Sequence, residues 1–263
     1  MQEIILADLE AVLMANNKVV SMSPASHSAA AENAISNNIL LSLSHKERYQ
    51  VLSKMEFVRL KQHLIIHDTG ESIKSGYFVN TGLISILAVQ PDGKSVEVGL
   101  IGNEGFTALP LLVGYRTSPT RLITNGESTA YRCDAGVLNE LVEECPQLDL
   151  QLRRFGYRLA MQTAQIAACN VMHSIEERLA RWILMIHDRI PSDDLPLTQE
   201  FMAQMLGTRR ASVTIAAGIL QKAGFISYAR GSVRIVNRER LEDAACDCYG
   251  IVKRQIESWE AET

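Results

Sequence analysis

Residues 197–226 read LTQEFMAQMLGTRRASVTIAAGILQKAGFI and contain two short helical patterns on either side of Gly207. Thr198 can cap the first helix and Thr208 the second, because threonine is a favoured N-cap residue. Gly207 permits the tight turn between them. Two helices joined by a turn of this length predict a helix-turn-helix. The apolar residues expected to face inward are Phe201, Met202, Met205 and Leu206 in the first helix and Val213, Ala216, Ala217 and Leu220 in the second.

The second helix would begin with Arg209 and Arg210, at the end where the helix dipole favours negative charge. Such a start is electrostatically favourable only if an anion completes it. In a helix-turn-helix the second helix can lie in the major groove of DNA, with its N-terminal residues at the base edges. Arginine is the usual bidentate partner of guanine. We therefore interpret Arg210 as a base reader and Arg209 as a phosphate contact.

The rest of the outward face is small or weakly polar. Thymine methyl groups would suit Ala211, Thr214 and Ile215. The alternative is that this face packs on another part of the chain. Residues 225–236, FISYARGSVRIV, alternate and bend at Arg230–Gly231, which predicts a small hairpin, or wing. The predicted DNA-binding residues are Thr208, Arg209, Arg210, Ala211, Ser212, Thr214, Ile215, Arg230 and Arg234.

Charge is distributed unevenly along the chain. The net charge of −4 over 263 residues gives no indication of nucleic-acid binding by itself. Residues 201–240, however, contain seven arginine and lysine residues against Glu239 alone, a local net charge of +6. A charge run is usually a solvated face, but this one coincides with a turn, a helix start and a hairpin. The local excess is typical of a phosphate-binding surface.

The N-terminal half has the pattern of β-structure. Residues 77–102, YFVNTGLISILAVQPDGKSVEVGLIG, contain two β-rich runs separated by Pro91–Lys94. Asp92-Gly93 supplies the positive φ that a hairpin turn requires. Further short runs lie at residues 63–67, HLIIH, and 120–124, TRLIT. Many short strands at close spacing predict an antiparallel sandwich or barrel.

Helical patterns flank this region on both sides. One helix is expected from about Asn38 to Met55. Beyond Ala135 a long helix contains an apolar stripe with steps of three and four residues, interrupted by Gln162. We interpret the stripe as a dimer seam, in which the polar Gln162 would fix the register of the two paired helices. The alternative is that the helix packs on the barrel of its own chain. The stripe consists of Leu148, Leu152, Phe155, Leu159, Ile166 and Cys169.

Metal and catalytic sites are weakly supported. On a strand, the four residue steps from His63 to His67 span about 13 Å, so the two rings cannot bind one ion. Cys246 and Cys248 are too close for the usual zinc pair, and no partner pair lies nearby in the sequence. They are expected to lie on a C-terminal helix that packs against the winged domain, and a redox role is left open. No nucleophile motif or phosphate-cradling glycine loop is present. We expect no metal, no cofactor and no enzymatic activity.

The location is predicted from three features of the sequence. The first twenty residues lack a basic start followed by an apolar core, so no secretory signal is expected. No stretch approaches eighteen apolar residues, so no membrane span is expected. The five cysteines are scattered and odd in number. Together these features predict a cytoplasmic protein with reduced thiols.

The order of parts resembles the transcription regulators related to the cyclic-AMP receptor protein and the fumarate-nitrate reduction regulator, over roughly residues 38–240. The likeness is most specific at residues 197–226. Residues 77–87, YFVNTGLISIL, resemble the second hairpin of a cyclic-nucleotide-binding-type barrel, and residues 177–184, ERLARWIL, resemble the helix that begins the DNA-binding domain.

The resemblance implies an α+β fold with a jelly-roll β-barrel, a long dimerisation helix and a winged helix-turn-helix. The expected domains are an N-terminal segment with a flexible linker at residues 1–37, the barrel at 38–145, the dimerisation helix at 146–171 and the DNA-binding domain with a C-terminal helix at 172–263. The linker itself is assigned to residues 21–35, which are small and polar.

Departures from the family pattern concern both ends of the molecule. In the best-known members the recognition helix carries Arg-Glu and a second Arg four residues after the Glu. This chain has Arg210 at the first of these places but Ala211 and Ile215 at the other two. A different DNA half-site is therefore expected. Members that bind cyclic AMP carry a Gly-Glu-Leu turn and then an Arg for the phosphate.

In residues 105–121, GFTALPLLVGYRTSPTR, Leu109 stands where that Glu would be. Arg116 and Arg121 are left as candidate anion ligands of an effector pocket. Cyclic AMP is therefore not the expected effector, since a specific site requires its polar groups in place. The N-terminal cysteines that hold an iron–sulfur centre in oxygen-sensing relatives are also absent.

These observations predict a sequence-specific transcription regulator that binds double-stranded DNA as a homodimer. The site should be an inverted repeat with half-sites about one helical turn apart. RNA polymerase is the expected protein partner, and the effector is unidentified. The alternative is a ligand-binding or protein-interaction module whose helix-turn-helix does not bind DNA. Activation and repression are not distinguished.

Overall fold

The structure is a computed structural model, which describes residues 20–21 and 35–262. The chain divides into two compact units: residues up to 86 together with 101–156, and residues 87–100 together with 157–263. The predicted linker at residues 21–35 lies almost wholly outside the described residues, as does most of the predicted segment 1–37.

The N-terminal strands form two four-stranded sheets, in the orders β1-β2-β8-β4 and β3-β7-β5-β6. The partners β1–β2, β2–β8, β4–β8 and β3–β7 run antiparallel. This arrangement confirms the predicted antiparallel barrel. The strands are β1 Val20–Ser21, β2 Glu56–Leu60, β3 Ile65–His67, β4 Ser75–Thr81, β5 Ile84–Val89, β6 Ser95–Ile101, β7 Arg121–Thr124 and β8 Ser128–Asp134.

The β5–β6 hairpin follows the sequence expectation. Gly93 has a φ of +81°, and its N–H donates to the carbonyl of Gln90 at 2.9 Å. The N–H of Gln90 donates in turn to the carbonyl of Lys94 at 2.8 Å. A residue with a side chain would be strained at the Gly93 position, so the Asp-Gly pair determines this turn.

The helix expected from Asn38 to Met55 is two helices, α1 Asn38–Ser42 and α2 His45–Ser53. The prediction of one helix was wrong because each piece has its own cap. Asn37 accepts a hydrogen bond from the N–H of Leu40, and Ser44 accepts one from the N–H of Glu47. Each of these side chains begins its own helix, and α1 ends at its C-cap, Leu43, whose backbone is extended.

The long helical region is α3 Ala135–Glu144 and α4 Pro146–Met172. Five of the six residues of the apolar stripe of α4 are buried within the described chain, and the sixth, Leu159, is half-buried. Gln162 is also buried, and its Oε1 accepts a hydrogen bond from the N–H of Leu100 at 2.8 Å. The interpretation of this stripe as a dimer seam was therefore wrong, and Gln162 satisfies a backbone group of its own chain.

The C-terminal region is a winged helix-turn-helix built around α5 Ile175–His187. Ser174 and Glu177 form a capping box at its start. Trp182 of α5 is buried and donates Nε1–H to Glu97 Oε1 at 2.8 Å. The remaining elements are β9 Asp194–Leu195, α6 Gln199–Met205, α7 Arg210–Lys222, β10 Ile226–Ala229, β11 Ser232–Ile235, α8 Arg238–Ala244 and α9 Cys248–Ala261.

These elements confirm the predicted fold class. Strands β10, β11 and β9 form a three-stranded sheet in that order. No helix among the described residues is both long enough and apolar enough to cross a membrane.

Candidate DNA-binding surface

The turn between α6 and α7 requires a glycine. Gly207 has a φ of +59°, and a Cβ added there would lie 2.8 Å from Cγ2 of Val96. Any larger residue would therefore meet both backbone strain and a steric clash. Thr198 caps α6 as predicted, accepting a hydrogen bond from the N–H of Phe201 at 3.2 Å.

The start of α7 differs from the prediction. Its N-cap is Arg209, with φ −78° and ψ 143°, and not Thr208. The Arg209 side chain accepts no hydrogen bond, and the first turn contains no acidic residue. The assignment of Thr208 as the N-cap was wrong because the helix begins at Arg210, so the extended residue directly before it is Arg209. The first N–H groups of α7 are thus left without a side-chain acceptor, which is the usual condition for anion binding at a helix start.

The two faces of α7 divide as the sequence predicted. Val213, Ala216, Ala217 and Leu220 are all at most 2% exposed. Arg210, Ala211, Thr214 and Ile215 are exposed, and Ser212 is half-buried. Ile215 is 63% exposed, although it is a large apolar side chain. The alternative in which this outer face packs on another part of the chain is wrong for the residues the structure describes.

Arg209 and Arg210 are cations without a partner in the part of the chain that the structure describes. Neither forms an ion pair or a side-chain hydrogen bond with any residue in the described ranges. A guanidinium stays charged at all physiological pH values and has a fork of donors that matches phosphate and guanine. The positive end of α7 is therefore open to an external anion.

Thr214 is held in place on the outer face. Its Oγ1 lies 2.8 Å from Gln199 Oε1 and 3.0 Å from the carbonyl oxygen of Arg210. The hydroxyl proton thus has acceptors inside the chain, and the methyl group is left for contact with a base. Gln199 was not among the predicted DNA-binding residues, because nothing in its spacing from Thr214 shows that α6 and α7 bring the two together.

The predicted wing is present. Strands β10 and β11 pair with Ala229 opposite Ser232, which leaves a two-residue turn at Arg230 and Gly231. Both turn residues have positive φ, +51° for Arg230 and +80° for Gly231. This conformation matches the twist of a hairpin but is unfavourable for a residue other than glycine, asparagine or aspartate. Arg230 is exposed at the tip of the wing.

Arg234, one of the predicted DNA-binding residues, is paired within the chain. Its Nε donates to Asp194 Oδ1 at 2.7 Å and its Nη2 to Asp194 Oδ2 at 2.6 Å. The hydrogen bond from Arg234 lowers the pKa of Asp194, so the carboxylate stays charged. Arg238 and Arg240 are also paired, with Asp188 and Asp243 respectively.

Four of the seven cations in residues 201–240 therefore remain without an acidic partner among the described residues: Arg209, Arg210, Lys222 and Arg230. The local charge excess is smaller than the count along the sequence indicated. It is also more concentrated, since the unpaired arginines lie at the start of α7 and the tip of the wing.

The two candidate effector residues of the barrel are in different situations. Arg121 forms a two-point ion pair with Asp68, at 2.9 Å and 2.8 Å. Arg116 is exposed. A cleft of about 520 Å³ in the first unit is lined by neither arginine. Its lining residues are Ile66, His67, Glu71, Ser72, Lys74, Ser75, Tyr77 and Arg132.

A group of metal-ligand side chains, missed by the sequence analysis, lies in the second unit. Cys246 and Cys248 have Cys169 and His173 of the α4 region as neighbours. The search for partners along the sequence failed because 77 residues separate Cys169 from Cys246. Only the spacing of Cys169 and His173, four residues apart in a helical pattern, could have indicated a pair of ligands.

An antiparallel β-barrel and a winged helix-turn-helix with an uncovered, cationic recognition helix define the class of DNA-binding transcription regulators. Residues 57–145 match the family described as cyclic nucleotide-binding domain. Residues 177–244 match the family described as Crp-like helix-turn-helix domain.

A protein of Mycobacterium tuberculosis named CRP-like cAMP-activated global transcriptional regulator is 28% identical over 174 residues, which are 63% of this chain and 77% of that protein. FixK2 from Bradyrhizobium japonicum has a similar structure, with a TM-score of 0.63 at 14% identity over 73% of this chain and 98% of that one. The global regulator CLP of Xanthomonas campestris, described as c-di-GMP responsive, has a TM-score of 0.63 at 16% identity, over 73% and 99% of the two chains. The chain belongs to the Crp/Fnr family of transcription regulators.

Proposed function

We propose that this regulator binds an inverted-repeat DNA site as a homodimer and reads it with the outer face of α7. The observation that supports the proposal best is the start of α7, where Arg209 and Arg210 have no partner among the described residues and the N-cap side chain accepts no hydrogen bond. A phosphate or a guanine edge would complete this start. No acid of the described chain competes for these two arginines.

Within that surface the residues have distinct roles. Arg210 reads a base, and Ala211, Thr214 and Ile215 select neighbouring positions through thymine methyl groups. Arg209, Thr208, Ser212 and the wing residue Arg230 contact phosphates, which adds affinity without sequence information. Arg234 contributes only if DNA phosphate displaces Asp194.

A second face of α4 supports dimer formation. From Tyr157 to Val171 its exposed residues recur once in each helical turn, with Ala167 and Ala168 adjacent in the same turn, as in a coiled-coil seam. They include Tyr157, Ala160, Ala164, Ala167, Ala168 and Val171. Val171 is 87% and Tyr157 68% exposed, and the Tyr157 ring packs beside Trp259 with a centroid distance of 5.3 Å. Small and apolar residues on an uncovered helix favour close pairing with a second copy.

The effector of the barrel is proposed to be something other than cyclic AMP. Leu109 begins a short 3-10 helix, Leu109–Val113, at the place where relatives that bind the nucleotide have a glutamate. Arg121 is already engaged by Asp68. The proposal also includes an effector pocket at Arg116 and Arg121, RNA polymerase as the protein partner and a cytoplasmic location.

Selection of bound duplexes from a random-sequence pool tests the DNA-binding proposal directly. The expected result is enrichment of an inverted repeat whose half-sites are about one helical turn, roughly 10 base pairs, apart. Enrichment of a single half-site would contradict the dimer, and no enrichment would favour the alternative of a ligand-binding or protein-interaction module. A parallel thermal-shift series with cyclic AMP should give no stabilisation.

A further inference from the structure

Three cysteines and one histidine converge within the second unit. One ligand atom from each residue lies within 4.8 Å of all the others. Cys169 Sγ is 3.4 Å from Cys246 Sγ, and Cys248 Sγ is 3.5 Å from His173 Nδ1. All three cysteines are at most 4% exposed. We refer to Cys169, His173, Cys246 and Cys248 as the thiol–imidazole cluster.

Backbone structure places the ligands in two pairs. Cys169 lies near the end of α4, and the N–H of His173 donates to the carbonyl of Cys169 at 3.2 Å, which continues the helical turn. Two side chains four residues apart on a helix lie on the same face. Cys246 lies between α8 and α9, and Cys248 is the first residue of α9. The bend between these helices lets two cysteines separated by one residue face the same point.

We propose that the thiol–imidazole cluster binds a single zinc ion. With Zn–S bonds of about 2.3 Å and a Zn–N bond of about 2.0 Å, the ligand atoms of a tetrahedral site lie about 3.5–3.8 Å apart. The distances of 3.4 Å and 3.5 Å between neighbouring ligand atoms fit that geometry. Three thiolates and one imidazole form a common closed ligand set of structural zinc.

The compactness of the cluster favours one ion over an iron–sulfur cluster. In a four-iron cluster each thiolate binds a different iron, so the ligand sulfurs lie on separate corners. Here all four ligand atoms fit within 4.8 Å of one another. Harder cations such as magnesium and calcium are excluded by chemistry, since they prefer oxygen ligands.

Two buried arginines interact electrostatically with the cluster, Arg178 with Cys169 and Cys246, and Arg181 with Cys169, which supports an anionic site. Arg178 and Arg181 of α5 are 8% and 4% exposed, and neither pairs with a carboxylate of the described chain. Each has an Nε–H without a hydrogen-bond partner among the described residues. A buried charge without a counter-charge is strongly unfavourable. Three thiolates around one Zn²⁺ carry a net charge of −1, which would offset half of the +2 charge of the two arginines.

A neighbouring amide completes the environment of one sulfur. Gln165 Nε2 donates to Cys248 Sγ at 3.0 Å. Hydrogen bonds of this kind orient metal ligands and stabilise thiolates. The ion would join the end of α4 to the segment between α8 and α9, so we expect it to contribute to stability and not to contact DNA.

Metal analysis of the full chain tests the proposal. Protein purified under reducing conditions should contain one zinc per chain by mass spectrometry of the metal. Replacing zinc with Co²⁺ should produce the intense visible absorption of a tetrahedral site and a thiolate-to-cobalt charge-transfer band. This measurement needs no variant. Absence of zinc, a weak octahedral cobalt spectrum, or iron with sulfide in the purified protein would each overturn the proposal.

Substitutions then assign the ligands. Cys248→Ser should weaken zinc binding by more than the 10–100-fold that is typical for the loss of a supporting hydrogen bond. Cys133→Ser is the matched control, since Cys133 is also a buried free cysteine but lies in β8. The control should keep one zinc per chain. Equal zinc content in the two variants would refute the assignment. A Cys169–Cys246 disulfide in protein purified without reductant and without metal would also refute it.

Discussion

Arg234 and Asp194 lie directly opposite each other in the β11–β9 ladder and form a two-point ion pair. Both side chains are more than half exposed, at 63% and 53%. An exposed pair of this kind adds little to folding. Its main effect is to give the arginine an acceptor inside the chain, which a DNA phosphate would have to replace.

Asp194→Asn should therefore strengthen DNA binding. Releasing Arg234 adds about one phosphate contact, so the slope of log affinity against log salt should become steeper by about 0.9. Fluorescence anisotropy with a labelled duplex over a salt series measures this slope. Glu239→Gln removes the same charge at an exposed position of α8 that pairs with no cation of the described chain, and it is the matched control. Equal changes in both variants would mean that net charge, and not Arg234, is responsible.

Arg210→Ala should cost about 1–3 kcal/mol of specific binding and relax the preference at one base pair of each half-site. The melting temperature should not change, since the Arg210 side chain is exposed and has no partner in the described chain. Arg209→Ala is the comparison, since it should weaken binding to all DNA sequences alike. Affinity measurements on a panel of duplexes with single-base changes distinguish the two protein variants. An unchanged sequence preference in Arg210→Ala contradicts its role as a base reader.

Arg230→Asn should weaken DNA binding without loss of stability. Arg230 has a φ of +51°, a conformation that costs an L-residue about 1–2 kcal/mol but that asparagine adopts readily. The melting temperature should therefore stay constant or rise. The salt slope should fall by about 0.9, the value for one phosphate contact. A stable variant with an unaltered salt slope would show that the wing tip does not touch DNA.

Ala164→Glu should dissociate the dimer. A carboxylate introduced into the proposed seam of α4 would be buried without a partner, which costs several kcal/mol. The dimer dissociation constant should rise by roughly 100-fold or more. Sedimentation equilibrium measures this directly. The control Ala223→Glu carries the same change after the end of α7, at an exposed position outside the seam. A dimer of normal strength in Ala164→Glu would rule out this face.

Stability should fall in mild acid through His67. Burial lowers the pKa of His67 to about 4 from an ordinary value of 6.5, against a smaller opposing effect of a hydrogen bond with the backbone of Ser75. The unfolded chain therefore takes up the proton first. This difference corresponds to about 3 kcal/mol that is present above pH 6.5 and is lost as the pH falls towards 4.

His67→Gln removes this titration but keeps a hydrogen-bond donor. Urea unfolding at several pH values should show a shallower decrease of the free energy of unfolding in His67→Gln than in the wild type. The exposed His45→Gln is the control and should follow the wild type. Identical pH profiles for all three proteins would contradict the effect of His67.

Burial within each helix was predictable from the sequence, because steps of three and four residues determine which side chains share a face. Val213 and Leu220 were identified in this way, and so were Leu152 and Phe155. Periodicity does not indicate what covers a stripe, however. The dimer seam was therefore assigned to residues that the same chain already buries, and the exposed small residues of α4 were overlooked.

Pairings between distant segments could not be predicted. Asp194 neutralises Arg234 and Asp68 neutralises Arg121, although 40 and 53 residues separate the members of each pair. A count of charges along residues 201–240 cannot include acids that the fold brings from elsewhere. The thiol–imidazole cluster was missed for the same reason, since its two halves are joined only in three dimensions.

The two tryptophans of the chain occupy unlike surroundings. Trp182 is enclosed and tied to Glu97, whereas Trp259 lies beside Tyr157, next to the face of α4 proposed for pairing. Intrinsic fluorescence of the unlabelled chain therefore combines two separable signals. With Trp182 replaced by phenylalanine, the emission of the remaining indole becomes an optical reporter of subunit association, readable in a cuvette without any added dye.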